Sequence, residues 1–402
     1  MIVRSKLPRV GTTIFTIMSQ RAAELGAVNL GQGFPDYDID PRLGELVHAA
    51  MRQGFNQYAP MPGMPQLREA ISAKLKRSYS VNVDPDLEIT VTLGATEAIF
   101  SAVQALVSNG DEVIVFDPAY DSYEPAIQLA GGVCIHVPLQ PPRFRYDWER
   151  VKAALSERTR LVIINSPHNP ACTCITAQDL ATLAELLRGR DVCLVSDEVY
   201  EHIVFDGLTH HSVLAHPELR ERSVAVFSFG KTLQATGLRV GYAVAPPALT
   251  VELRKVHQFN TFTIATALQV AIAGYLGERP ECGDALRTLL GVKRDRLVAA
   301  LAGSELTLPK AEGSFFQLID YGALSDAPDA QFAEELLTRA QVATIPLSVF
   351  YQHAPAMTLL RLCFAKRDQT LDEGAGRLQA YARKRRAGAI SVIPPATGGT
   401  SM

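Results

Sequence analysis

The sequence predicts an α/β fold built on a mainly parallel sheet with helices on both faces. Three observations carry that reading. Between Leu87 and Val244, short β-branched runs alternate with helical patterns at the spacing of βαβ units. Those runs are apolar almost throughout, as strands buried on both faces require. The chain has 402 residues, 47% of them hydrophobic, which is enough for a large domain and a smaller companion.

The elements follow in order. Residues 1–38 mix short segments with a glycine-rich turn, Gly31-Gln32-Gly33-Phe34-Pro35-Asp36, where the missing Cβ lets backbone approach a ligand. Asp40 caps a helix with Pro41 at its first position, running to about Gln53. After the loop Asn56–Gly63, a helix from about Gln66 to Tyr79 carries Leu67, Ile71 and Leu75 on one face. Seven strands are expected at Leu87–Leu93, Glu112–Phe116, Val133–Val137, Leu161–Asn165, Val192–Ser196, Val224–Ser228 and Val240–Val244. Helices fall between them near Thr96–Leu106, Tyr123–Ala130, Trp148–Ser156 and Ala177–Leu187. Further helices are expected near 248–258, 264–277 and 280–302. Strands Phe315–Ile319, Val342–Ile345 and Leu359–Phe364, with helices near 329–340 and 369–385, make a smaller α+β domain. The expected division is an N-terminal segment 1–45 contributing to the small domain, a large domain 46–285, a small C-terminal domain 286–386 and a disordered tail 387–402, rich in Gly, Pro, Ser and Thr.

Composition excludes several function classes. A net charge of −3 lacks the basic footprint of a nucleic-acid or anionic-membrane binder. No apolar run reaches the ~18 residues that span a bilayer, and the first residues lack a signal-peptide core. The six cysteines, at 134, 172, 174, 193, 282 and 363, form no Cys-x-x-Cys pair, so no metal is expected and free thiols in the cytoplasm are. Cys193 reads as a small core residue. His210-His211 reads as a surface turn, because neighbours on an extended segment point apart.

Four polar features fall at expected strand ends, where open α/β sheets place their ligands. Gly94-Ala95-Thr96-Glu97 follows a strand and opens a helix, an arrangement that suits a phosphate or an ordinary N-cap. Ser166-Pro167-His168-Asn169-Pro170 is a proline-stiffened turn that aims Asn169 or simply turns the chain. Asp197 ends an apolar strand, where a carboxylate is costly without a partner such as a protonated pyridine nitrogen; a helix N-cap is the other reading. Lys231 follows Ser228 by three residues and precedes Arg239 by eight. Gly230-Lys231-Thr232 is not a nucleotide P-loop, since Ala225–Phe229 upstream contains no glycine. A lysine so placed is a candidate for condensation with an aldehyde cofactor, with Ser228 and Arg239 holding a phosphate.

The order and spacing of these features resemble the class I/II aminotransferases, pyridoxal-phosphate enzymes of fold type I, over nearly the whole chain. The resemblance rests on Leu30-Gly31-Gln32-Gly33-Phe34-Pro35-Asp36, Asn56-Gln57-Tyr58, Asp117–Pro125, and His257-Gln258 followed by Phe262. Within the family the chain is most similar to methionine and kynurenine/glutamine aminotransferases. The resemblance implies a large domain with a mainly parallel seven-stranded sheet and a smaller α+β domain built from both termini. It implies that Lys231 carries pyridoxal 5′-phosphate as a Schiff base and moves the substrate proton, and that Asp197 pairs with the pyridine nitrogen. Tyr200 and Asn169 would bond the ring's 3-oxygen. Ala95, Thr96, Ser228 and Arg239 would hold the phosphate, and Tyr120 would stack on the ring. Tyr58 would reach the phosphate of a neighbouring subunit in a homodimer. Arg361 and Gly33 would take the substrate carboxylate, with Phe15, Tyr58, Phe262 and Phe350 around its side chain. One departure is Gly237-Leu238-Arg239, where the methionine and kynurenine group often has Gly-Trp-Lys.

The expected activity is transfer of an amino group from methionine, an aromatic amino acid, kynurenine or glutamine to a 2-oxo acid. Two alternatives use the same features. One is β-elimination on cysteine conjugates, which also needs Lys231. The other is a cofactor-sensing regulator domain, against which stands the short segment before Gly31, too small for a winged helix.

Overall fold

The computed structural model describes residues 4–8 and 10–388. The expected tail therefore lies outside the described residues from 389 onward. The chain forms two units. One comprises Asp38–Leu289 and Glu312–Ser314, with residues of the extreme N-terminus. The other comprises Gly11–Tyr37, Leu290–Ala311 and the chain from Phe315.

The larger unit is organised by a seven-stranded sheet. Its strands are β1 (Ile89–Thr92), β2 (Glu112–Asp117), β3 (Val133–Pro138), β4 (Thr159–Asn165), β5 (Cys193–Asp197), β6 (Ser223–Ser228) and β7 (Gly241–Val244). Their order across the sheet is β1-β7-β6-β5-β4-β2-β3. Only β7 runs against the rest, pairing antiparallel with both β1 and β6. It can do so because a short connection, not a crossover helix, joins it to β6. This puts the start of β7 beside the carboxyl ends of its neighbours, with Gly241 opposite both Thr92 and Ser228.

The helix Gly94–Leu106 covers one face. Ala98, Ile99, Ala102 and Val103 pack there with Val113, Val115, Leu161, Ile163, Val195, Val224 and Val226 in one buried cluster. Alternate residues of each strand supply it, as the two-residue period dictates. On the helix Pro65–Tyr79, Leu67, Ile71 and Leu75 are fully buried, and so, against expectation for a polar side chain, is nearly all of Lys74. Cys193 is only half-buried, at the exposed start of β5. The helix Pro41–Arg52 belongs to this unit, because Arg42 forks onto Glu278 and Tyr275 donates to Asp40. Hence the unit begins at Asp38, before the expected boundary.

The smaller unit holds a three-stranded antiparallel sheet, β9-β10-β8, of β8 (Phe316–Asp320), β9 (Ile345–Pro346) and β10 (Leu359–Cys363). A separate two-stranded parallel pair joins Val28–Asn29 to Val342–Ala343. The expected strand Val342–Ile345 is thus divided between two sheets, with Thr344 at the break. The long helix Asp368–Arg386 closes the unit through buried Leu371, Ala375 and Leu378.

Candidate active site

The carboxyl ends of β4, β5 and β6, the start of β7 and the start of the Gly94–Leu106 helix converge on a cavity of about 130 Å³. It is lined by Ala95, Thr96, Tyr120, Asn169, Asp197, Tyr200, Ser228, Lys231 and Arg239, nine of the ten residues expected to contact one cofactor. Asn165, Ile99 and Val199 complete the wall. Tyr58 does not join them; it is 83% exposed, with its ring edge-on to Phe262 at 5.4 Å.

Asp197 is the last residue of β5 and is almost fully buried. Its Oδ2 accepts from the Tyr123 hydroxyl at 2.6 Å and its Oδ1 from the Val199 N–H at 3.3 Å. Burial pushes the carboxyl up to about 6, although these donors and Lys231 pull the other way. No helix follows Asp197, which removes the N-cap reading. Tyr123 is pushed well above its usual value, first by burial and then by the Asp197 charge, so it remains a donor.

The neighbouring strand supplies a second anchor. Asn165, the last residue of β4, donates to the Asp197 carbonyl at 2.9 Å and accepts from the Asn169 N–H at 2.7 Å. One amide thus ties the loop that carries Asn169 to the strand that carries Asp197. In that loop His168 is buried, accepts from the Ala171 N–H at 3.3 Å and is pushed down to about 4 by burial, so it is neutral.

Lys231 sits in the helical turn Phe229–Thr232, with Nζ 5.7 Å from the centre of the Tyr200 ring. Arg239 adopts a left-handed backbone conformation at φ 52° and lays its guanidinium against Gly94, where an added Cβ would meet Nη2 at 2.8 Å. At Gly241 an added Cβ would lie 2.8 Å from the Ala95 nitrogen. Two glycines therefore let the helix start, the arginine and β7 crowd together. The result is a cradle of backbone N–H groups, the Thr96 and Ser228 hydroxyls and a guanidinium, a donor set for a multiply charged anion. Tyr120 is hydrogen-bonded to Thr96, and its hydroxyl is pushed up by burial and by the Asp121 and Asp197 charges.

In the smaller unit Arg361 lies on β10, the central strand and not an edge. It is 1% exposed, and its Nη2 donates to the Gly31 carbonyl at 3.0 Å. Its guanidinium carbon lies 3.9 Å from the Phe316 ring centre and 5.2 Å from those of Phe15 and Phe350. Phe316 opposes Cys363, so it is the diagonal neighbour of Arg361 on the same sheet face. Its ring edge also explains Gly33, where a Cβ would lie 2.6 Å from Phe316 Cζ.

Tyr123, Asn165 and Phe316 were not singled out by sequence reasoning. Asn165 had a usable signal, a polar residue ending an apolar strand. The other two act through contacts distant in sequence. His210 corrects the expectation of a surface turn. Its side chain is 5% exposed, with Nε2 2.8 Å from buried Glu198, whose carboxylate needs donors. Among the described residues all six cysteines are free, and no group of three or more metal-ligating side chains converges.

Comparison with known proteins completes the description. The model of the family "Aminotransferase class I and II" matches residues 26–378. Methionine aminotransferase of Escherichia coli is 52% identical over 94% of this chain and 98% of its own. Its crystal structure superposes with a TM-score of 0.92, covering 94% of this chain and 100% of that one. A probable N-succinyldiaminopimelate aminotransferase of Mycobacterium tuberculosis is 38% identical over 94% and 98% of the two chains. Kynurenine–oxoglutarate transaminase 3 of Rattus norvegicus is 35% identical over 89% and 86%.

The buried carboxyl generates a test on the cofactor-free protein. A carboxyl raised from about 4 to about 6 stabilises the fold while protonated, fully below pH 4, and loses that contribution as pH rises through 6. At pH 8 its ionised form therefore costs about 3 kcal/mol, at ~1.4 kcal/mol per pH unit of displacement. Asp197→Asn should be more stable than the parent at pH 8 by about that amount, with the advantage fading between pH 6 and 4. Denaturant unfolding at several pH values measures it. A parent as stable as the variant at pH 8 would contradict the burial argument.

Proposed function

The chain belongs to the class I and II aminotransferases, and from that membership and the site geometry we propose the residue roles and substrate class that follow. The protein is a pyridoxal-phosphate-dependent transaminase, exchanging an amino group between an amino acid and a 2-oxo acid. The donor set fits the cofactor. An anion cradle, a lysine and a buried carboxyl face one cavity at the carboxyl ends of β4, β5 and β6.

When bound, the cofactor supplies an electron sink for the negative charge left at the substrate α-carbon. The chain's residues do the rest. Lys231 would hold the cofactor through its Nζ and would carry the proton that leaves the substrate α-carbon. Asp197 would pair in its ionised form with the cofactor's ring nitrogen. Tyr200 and Asn169 would hold the ring's 3-oxygen, and Tyr120 would stack on the ring. Ala95, Thr96, Ser228 and Arg239 would hold the phosphate. Arg361, aided by the Gly33 backbone, forks the substrate α-carboxylate. Its guanidinium lies among the rings of Phe15, Phe316 and Phe350.

The donor is methionine, an aromatic amino acid, kynurenine or glutamine. The supporting observation is that Phe15, Phe316 and Phe350 surround Arg361 and none of them is a second cation. Aromatic walls favour apolar chains and thioethers, whereas a second carboxylate buried there without a partner is opposed by several kcal/mol. Two relatives are named for methionine and kynurenine. Methionine and phenylalanine should exceed aspartate by roughly tenfold or more in kcat/KM with one common acceptor. Aspartate as the better donor would overturn the pocket assignment.

The working unit is a homodimer in which Tyr58 reaches the neighbour's phosphate. Tyr58 and Phe259 are 83% and 90% exposed, and Phe262 packs edge-on against Tyr58. Large aromatic side chains left this open mark an association surface. Sedimentation should give twice the chain mass, and Tyr58→Ala should weaken cofactor retention. A fully active monomer would refute the shared site. No helix among the described residues is long and apolar enough to cross a membrane. With its free thiols the enzyme is assigned to the cytoplasm, which cell fractionation tests by its absence from other fractions.

A further inference from the structure

Lys74 is a buried cation that the proposed chemistry does not use. Its side chain is 7% exposed, and its Nζ donates to Glu201, whose side chain is 2% exposed. The Tyr79 hydroxyl donates to the same carboxylate oxygen. A third contact runs from Nζ to the Tyr242 hydroxyl at 3.1 Å. The ammonium also lies 5.0 Å from the Phe227 ring centre and 5.8 Å from that of Tyr242. Those two rings stack at 4.9 Å across the β6–β7 pair. A pair this deeply buried is weak evidence for stability, because an apolar replacement is often as good.

What the pair touches is informative. Glu201 lies in the turn that carries Tyr200, and Phe227 immediately precedes Ser228 on the strand leading to Lys231. Along Asp197-Glu198-Val199-Tyr200-Glu201 the side chains divide. Asp197, Val199 and Tyr200 line the cofactor cavity. Glu198 and Glu201 turn away from it. Glu198 accepts from the Ser196 hydroxyl and the Val213 N–H and pairs with His210; Glu201 takes Lys74 and Tyr79. Burial pushes Glu201 up, but Lys74, His202 and Tyr79 more than offset it, so it is ionised. A second cavity, about 490 Å³, opens beside this group and is bordered by Glu201, His202, Phe229 and Thr232.

We propose that Lys74 is a positioning residue which, through Glu201 on one side and the Phe227–Tyr242 stack on the other, sets the placement of Tyr200 relative to Lys231. It acts from behind the sheet and touches neither substrate nor cofactor. The inference rests on the role given to Tyr200 above. If Tyr200 bonds the cofactor's 3-oxygen, a displaced Tyr200 alters the balance between the protonated and unprotonated forms of the bound chromophore. A purely structural lysine would change only stability.

The test uses the cofactor-loaded enzyme. Lys74→Met alone strands a buried carboxylate, so the informative variant is Lys74→Met/Glu201→Gln, which removes both charges at similar volume. Tyr79→Phe is a milder variant that spares the ion pair. Tyr200→Phe is the control. The double variant should fold, shift the ratio of the two visible absorption bands at fixed pH in the direction that Tyr200→Phe does, and lower kcat by roughly 10- to 100-fold. KM for the amino donor should change by less than about threefold. Tyr79→Phe should move the bands the same way by less, and Lys74→Arg should restore them in part. Wild-type bands and kcat in the folded double variant, or in Tyr79→Phe should the double variant fail to fold, would overturn the inference. Should Tyr200→Phe itself leave the bands unchanged, the inference falls with the role of Tyr200, and the failure is traced to that reading.

Discussion

A carboxyl group buried at the end of β5 is the constraint on which the rest of the larger unit depends. Asp197 is 4% exposed, in a cavity wall that it shares with Ile99 of the Gly94–Leu106 helix. Such a group is tolerable only if donors surround it and a cation completes the set. Tyr123 and the Val199 N–H supply donors from within the chain. Lys231 is the cation that acts on it from within the chain.

The same economy of position runs through the segment after β5. Within five residues, three side chains face the cofactor cavity and two carboxylates face away, each of the two held by its own polar partners. The catalytic face is defined as much by what anchors the far side as by what it presents. β7 contributes in a different manner, by having no side chain at Gly241, so that the Ala95 nitrogen can come close. In the smaller unit Gly33 stands in the same relation to Phe316, and Phe316 to Arg361.

Most of the fold was legible because strand and helix periods alternate in the chain itself. The strand ends were legible too, since a charge or amide that closes an apolar run has few inexpensive explanations. Asp197 stands out as a candidate in that way. What was illegible depends on long-range geometry. Nothing local distinguishes Lys74 from the other cations of its amphipathic helix, because its partner lies 127 residues away. His210 reads as a turn residue until Glu198 is seen to be buried beside it. Phe316 reads as core, since its stacking on Arg361 requires the register of β8 against β10. The antiparallel course of β7 was hidden for a similar reason, as strand direction is set by pairing and not by composition.

The central claim is that Lys231 is the residue that bonds the cofactor, within the constellation set by Asp197. Its most direct measurement is borohydride reduction of the loaded enzyme, followed by proteolysis and mass mapping of the modified peptide. The account predicts one cofactor fixed per chain, on Lys231, with Lys74 unmodified. A label on any other lysine, or loaded enzyme that reduction does not label, would contradict it.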